Sequence, residues 1–245
     1  MNVRDAALEA IKRPALRVLH ATPRGEAAIL RVYLEGEEHA ERAVLMDPVT
    51  DTAPPWLARW LVKHRADEAR HADMLRARIR TLTGDTGPAP VTGEMDPVSR
   101  WKMRRLARLA KKSAPKFAAG LLVPILAIAW RMEQMGVKVF HRHVDVLRGR
   151  GKETPTLPLL EKILRDERGH VLACERALRR LVTAPEQNDL AMLVFRIDRI
   201  ERAFGVLGAA VLFTVGVTLW LVQPFSRPVA APASSTSPSP TRAAT

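Results

Sequence analysis

The chain has 245 residues, of which 47% are hydrophobic and only 5% aromatic, so one generous domain or two small ones can be built around a real core. A single cysteine, Cys174, excludes an intrachain disulfide framework and fits a reducing compartment. The formal charge of +13 implies an anionic partner, either nucleic acid or an anionic lipid surface.

The first twenty residues, MNVRDAALEAIKRPALRVLH, are charged, lack the apolar centre of a secretory signal and read as an N-terminal helical segment, 1–20. Residues 21–184 then carry four long helical patterns in two pairs. The first runs from about Pro23 to Met46 and the second from about Pro55 to Leu82, with the loop DPVTDTAPP between them. A Gly/Pro/Thr-rich linker, 83–98, separates the pairs. The third pattern covers about Pro115 to Leu147, and the fourth about Thr156 to Val182.

Between the pairs, residues 99–116 read SRWKMRRLARLAKKSAPK, with eight Lys or Arg and no acid. Trp101, Leu106 and Leu109 fall on the opposite face, which is the pattern of a basic helix lying on an anionic membrane surface. Nucleic acid is the less favoured partner. The run FAAGLLVPILAIAW that follows is too short to span a bilayer, is interrupted by Pro124, and is expected at the interface. Residues 185–202 read as a juxtamembrane segment. Residues 203–222, AFGVLGAAVLFTVGVTLWLV, are long and apolar enough to predict a C-terminal transmembrane helix. Arg196, Arg199 and Arg202 before it predict a single-pass tail anchor with the bundle on the cytoplasmic side. The Pro/Ser/Thr-rich tail, 223–245, is disordered by composition.

Each helix pair ends in the same motif: DEARH at 67–71 and DERGH at 166–170. Seven histidines in the whole chain make this repetition hard to assign to chance. Residues three or four apart share a helix face, so Glu68 points with His71, and Glu167 with His170. On the second helix the inward stripe is Leu57, Leu61, His64, Glu68, His71, Leu75. On the fourth it is Leu160, Leu164, Glu167, His170, Cys174, Leu178. Glu133 occupies the same kind of position on the third helix, between Trp130 and Val137. Buried carboxylates are expensive unless paired or metal-bound. The pattern is that of an all-α, ferritin-like four-helix bundle, with a Glu from two helices and Glu-x-x-His from the other two holding two iron ions. Carboxylates suit the ferric state and imidazoles cap each iron, with iron–manganese as the alternative pair. Solvated His/Glu pairs on charged helices are the plainer reading, and four aligned acids weigh against it.

The first helix offers two candidates, since Glu26, Leu30, Tyr33 and Glu37 lie on one stripe, while Glu35 and Glu38 read as solvated beside Arg31 and Arg42. Asp67 and Asp166 are candidates to orient a metal-bound histidine. His141 and His143 lie off the Glu133 stripe and are expected to face solvent. His64 and Cys174 read as core residues.

RVLHATPRGEAAILRVY (17–33) resembles the first-helix signature of the demethoxyubiquinone hydroxylase family, H-A-G-E followed by R-I-Y, with Thr22, Pro23 and Arg24 inserted. DEARH and DERGH resemble its two E-x-x-H motifs, and MEQMGVKVFHRHV (132–144) resembles its third helix. The likeness covers about residues 17–180. It implies a di-iron monooxygenase with Glu26, Glu68, His71, Glu133, Glu167 and His170 as ligands, Glu37 being the rival to Glu26. It also implies a lipid-soluble quinone-type substrate and an external electron donor, and it is compatible with a homodimer. A rubrerythrin-like peroxidase or ferroxidase shares the ligand set. A membrane-tethered helical adaptor without activity is the non-enzymatic alternative.

Overall fold

The computed structural model describes residues 3–41, 53–84, 97–151 and 154–222. It is an all-α helical bundle of α1 (Val3–Leu19), α2 (Pro23–Glu41), α3 (Pro55–Thr83), α4 (Pro97–Ser113), α5 (Leu122–Arg148), α6 (Thr156–Leu181) and α7 (Gln187–Val222). Single 3-10 turns lie at Ala114–Lys116 and Ala184–Glu186. The expected loop 47–52, most of the linker and the tail 223–245 lie outside the described residues.

Local chemistry sets the boundaries. Pro55 opens α3, where its missing N–H costs nothing, and Gly84 ends it at φ 68°, donating its N–H to the Arg80 carbonyl. The α1–α2 corner depends on Gly25. A Cβ there would sit 2.2 Å from the Leu19 carbonyl oxygen, so no larger residue lets the chain turn this tightly. The third long helix starts later than its apolar pattern suggests, at Leu122 rather than Pro115. Gly120, at φ 58°, breaks the chain there.

Helices α2 and α3 pair along their length, as do α5 and α6, and α3 meets α6 across the two pairs. The apolar core falls into two bodies. One joins Leu57 and Leu61 to Leu106, Leu122–Ile128, Leu178 and Ile197. The other joins Leu19, Leu30 and Tyr33 to Leu75, Phe140, Leu147 and Ile163. Every helix of the two pairs passes from one body toward the other through a layer of buried polar side chains (Glu37, Glu68, Glu133 and Glu167 among them).

The membrane expectations need correction. Among the described residues no helix is long and apolar enough to cross a membrane, so the tail anchor and its cytoplasmic-side orientation are not supported. Residues 203–222 are not a separate segment but the continuation of α7, whose first half is charged and packed on the bundle. Leu193 and Ile197 are buried there, Glu201 pairs with Lys102 at 2.8 Å, and Phe204 stacks near Trp101. The segment 185–202 is therefore bundle, not a juxtamembrane connector. The run Leu122–Ile128 is likewise core rather than interfacial, being buried throughout. On α4, Leu106 and Ala110 are buried in that same core, so the apolar face of the basic helix is already covered by protein; Trp101 alone of its expected apolar residues stays half-exposed.

Candidate metal centre

Helical spacing brings His64, Glu68 and His71 of α3 to one face, and each is buried. Glu133 of α5 and Glu167 and His170 of α6 face them across the bundle, and Glu37 of α2 completes the ring. Two sets of possible ligand atoms result. One comprises Glu37, Glu68, His71 and Glu167, the other His64, Glu68, Glu133 and His170, and within each set the atoms lie within 4.8 Å of one another. Glu68 belongs to both sets. Gly136 makes room for this arrangement, because a Cβ there would stand 3.0 Å from Glu167 Oε2.

Four carboxylates buried in one layer must take up either protons or a cation. No Lys or Arg reaches the four carboxylates in the ion pairs of the described residues; histidines are their counterparts. Burial, together with the adjoining Glu68 and Glu133, pushes the Glu37 carboxyl well up, and Glu167 is pushed up in the same way by burial and by Glu133, Glu68 and Glu37. Burial also opposes ionisation of Glu133, but His170 and His64 beside it draw it down. For His170, burial favours the neutral ring, and the close Glu133 and Glu68 carboxylates outweigh it and carry the imidazole up to about 10. Oε1 of Glu68 and Nδ1 of His170 stand 3.2 Å apart, are fully buried, and neither makes a hydrogen bond. Orphaned polar atoms of this kind are rare in folded proteins. Converging carboxylates and imidazoles, with two buried polar atoms that make no hydrogen bond, could hold a metal ion in either set.

The far side of each ring is also organised. His71 turns Nδ1 toward Glu37 at 3.3 Å and Nε2 toward Asp166 at 3.2 Å. His170 turns Nδ1 toward Glu68 and Nε2 toward Asp67 at 3.3 Å. Arg70 bridges Asp67 and Asp166, at 2.7 and 2.9 Å.

Five of the six residues expected at the centre therefore converge, and the sixth does not. Glu26 lies about 16 Å along α2 from Glu37 by helical rise. Its carboxylate is held by Arg78 at 2.7 Å, by the Thr156 hydroxyl and by His20. Burial would raise its pKa, yet these hydrogen bonds and the Arg78 charge bring it down to about 2. The rival, Glu37, stands in its place. The spacing in α2 could not separate the two, because they are eleven residues apart and eleven residues make close to three full turns.

His64 was read as core and joins the second set. The signal was present, since His-x3-Glu-x2-His puts all three side chains on one stripe. His143 was expected in solvent and is fully buried, hydrogen-bonded through Nδ1 to the Tyr33 hydroxyl at 2.9 Å and facing His20 on its other side. Glu38 was also expected in solvent. It is buried against Arg76 at 2.8 Å. Cys174 is buried within the core, and burial pushes its thiol well up.

No family model, curated protein or solved structure matches this chain.

Proposed function

We propose that the protein is a dinuclear non-haem metal oxidoreductase of the ferritin-like class, with two irons (or iron and manganese) held by Glu37, Glu68, His71, Glu133, Glu167 and His170. The observation that carries this reading is the buried ring of four carboxylates, whose ion pairs among the described residues are made with histidines and not with Lys or Arg. A bound pair of irons supplies the redox chemistry that activates dioxygen. The chain's own residues do the remainder. Glu68 would serve both positions, His71 and His170 would each hold one, and Asp166 and Asp67 hold those rings so that Nδ1 faces inward. The apolar bodies on either side exclude water.

By its resemblance to the demethoxyubiquinone hydroxylases, the proposed reaction is hydroxylation of a lipid-soluble aromatic or quinone-type compound with an external reductant. The anionic partner is proposed to meet a cleft of about 700 Å³ between α4 and α7, lined by Arg105, Arg108, Arg196 and Arg199 beside Trp101. One observation favours the peroxidase or ferroxidase reading instead. The apolar run that opens α5, Leu122–Ile128, is core, so it offers no lipid-facing path to Glu133.

The test is anaerobic loading with Fe(II), then exposure to labelled dioxygen with a quinol in vesicles and a chemical reductant. The hydroxylase reading expects uptake of about two irons per chain, as its ligand class provides, and a quinol product carrying one labelled oxygen. Fast turnover of peroxide or Fe(II) with no oxygenated quinol would assign the rival reaction. Failure to bind iron would overturn both.

A further inference from the structure

The two ligand sets are not equivalent. The Glu37 set offers three carboxylates and one imidazole, and the other offers two carboxylates and two imidazoles, the extra one being His64. Nε2 of His64 lies 2.8 Å from Glu133 Oε1 and 3.6 Å from Glu68 Oε1. The ring packs 4.2 Å from that of His170, edge to face, and 5.0 Å from Trp60, so its position is fixed on both sides. A hydrogen bond to Glu133 would satisfy His64 itself. It would leave Glu68 Oε1 and His170 Nδ1, which lie 3.2 Å apart, buried and without a hydrogen bond. A cation between them satisfies all of them together.

We infer that His64 is a seventh metal ligand, which makes one position imidazole-rich and the other carboxylate-rich. The inference rests on the proposal that the layer holds two ions. Imidazole favours iron, cobalt and zinc, whereas carboxylate suits manganese and magnesium, and the carboxylate-rich position also carries one more negative charge. The two positions therefore load in order. The His64 position takes a borderline ion such as Co(II) first, and the Glu37 position accepts Mn(II).

Co(II) titration of the whole chain, read by proton NMR in water, tests this without any variant. A Co(II)-bound imidazole shifts its remaining ring N–H far outside the normal range. Three shifted exchangeable resonances are expected, from His64, His71 and His170. With Mn(II) present in equal amount, one ion of each kind is expected per chain. The His64→Asn variant should lose one of the three resonances, weaken one of the two Co(II) equivalents about a hundredfold or more, since even an outer partner of a ligand is worth 10–100-fold, and lose the Mn/Co preference. Added free imidazole should restore the weakened equivalent in His64→Ala. Circular dichroism melting of both variants shows whether they remain folded. Two Co(II) bound with only two shifted resonances, and unchanged affinity in a folded His64→Asn, would overturn the seventh ligand while leaving the dinuclear reading intact. No Co(II), Fe(II) or Mn(II) bound by the wild-type chain would overturn both.

Discussion

Asp166 meets Nε2 of His71 at 3.2 Å from the opposite helix pair, although its own motif partner is His170. Asp67 returns the relationship to His170 at 3.3 Å. Each DExxH motif thus supplies a Glu and a His to the centre and an Asp to the other motif's histidine. Arg70 joins the two aspartates, so the crossing is braced from outside.

Removing either aspartate should loosen one histidine without emptying the centre. Asp166→Ala and Asp67→Ala are expected to weaken metal binding about 10–100-fold each. Calorimetric titration with Fe(II) under nitrogen measures it. Equal affinity in both variants and the parent would show that the crossing is structural only.

Glu37 and Glu26 should respond oppositely to truncation. Glu37→Ala is expected to lose one metal position at little cost in stability of the metal-free chain. Glu26→Ala should keep the metal but strand the nearly buried Arg78, costing about 3 kcal/mol. Metal analysis and urea unfolding of the two variants separate these outcomes. Loss of metal in Glu26→Ala alone would return the ligand role to that residue.

Gly136→Ala sets two effects against each other. Alanine favours the α5 helix by about 1 kcal/mol, but its Cβ would crowd Glu167 Oε2 at 3.0 Å. The metal-free variant is expected to melt no lower than the parent while binding metal more weakly. A variant that binds normally would mean that Glu167 can move aside.

Metal affinity should rise with pH. Glu37 and Glu167 are pushed up and His170 is raised to about 10, so all three favour the protonated form that must be given up on binding. Titration in buffers of different ionisation enthalpy should show proton release. A pH-independent affinity between neutrality and pH 9 would contradict this. Glu26 behaves differently because its folded value of about 2 lies below its ordinary value of 4.5. Its contribution is present above the ordinary value and disappears as pH falls toward the folded one. The stability difference between the parent and Glu26→Gln should therefore shrink on acidification from pH 5 to 2.

Much of the centre could be read from spacing alone. Glu68–His71 and Glu167–His170 are fixed by helical geometry, and Glu133 by its place on an otherwise apolar stripe. Glu37 could not be separated from Glu26, because the choice depends on Arg78 and Thr156, which lie far away in the chain. His143 departs from its expected solvent position for a related reason. Its stripe faces α1 and α2 rather than the buried polar layer, and periodicity marks a face as inward only toward the neighbour one expects. The apolar stretch that opens α5 shows the same limit: a short hydrophobic run reads alike whether it meets lipid or protein, and here α3, α4, α6 and α7 cover it.

The two apolar bodies that sandwich the polar layer also decide how anything reaches it. Among the described residues, Leu57, Leu126 and Leu178 lie in the apolar body on one side of it and Leu30, Leu75 and Leu160 in the body on the other, so a path for ions along the bundle axis would have to cross packed apolar side chains. The other approach is sideways, between helices, at the level of the layer itself. On the α3–α6 seam that level is occupied by Arg70, 41% exposed, clasping Asp67 and Asp166. An incoming divalent ion would meet two carboxylates there, and the arginine would have to swing outward to let it through, so the brace that steadies both histidines would also serve as the latch on their side entrance.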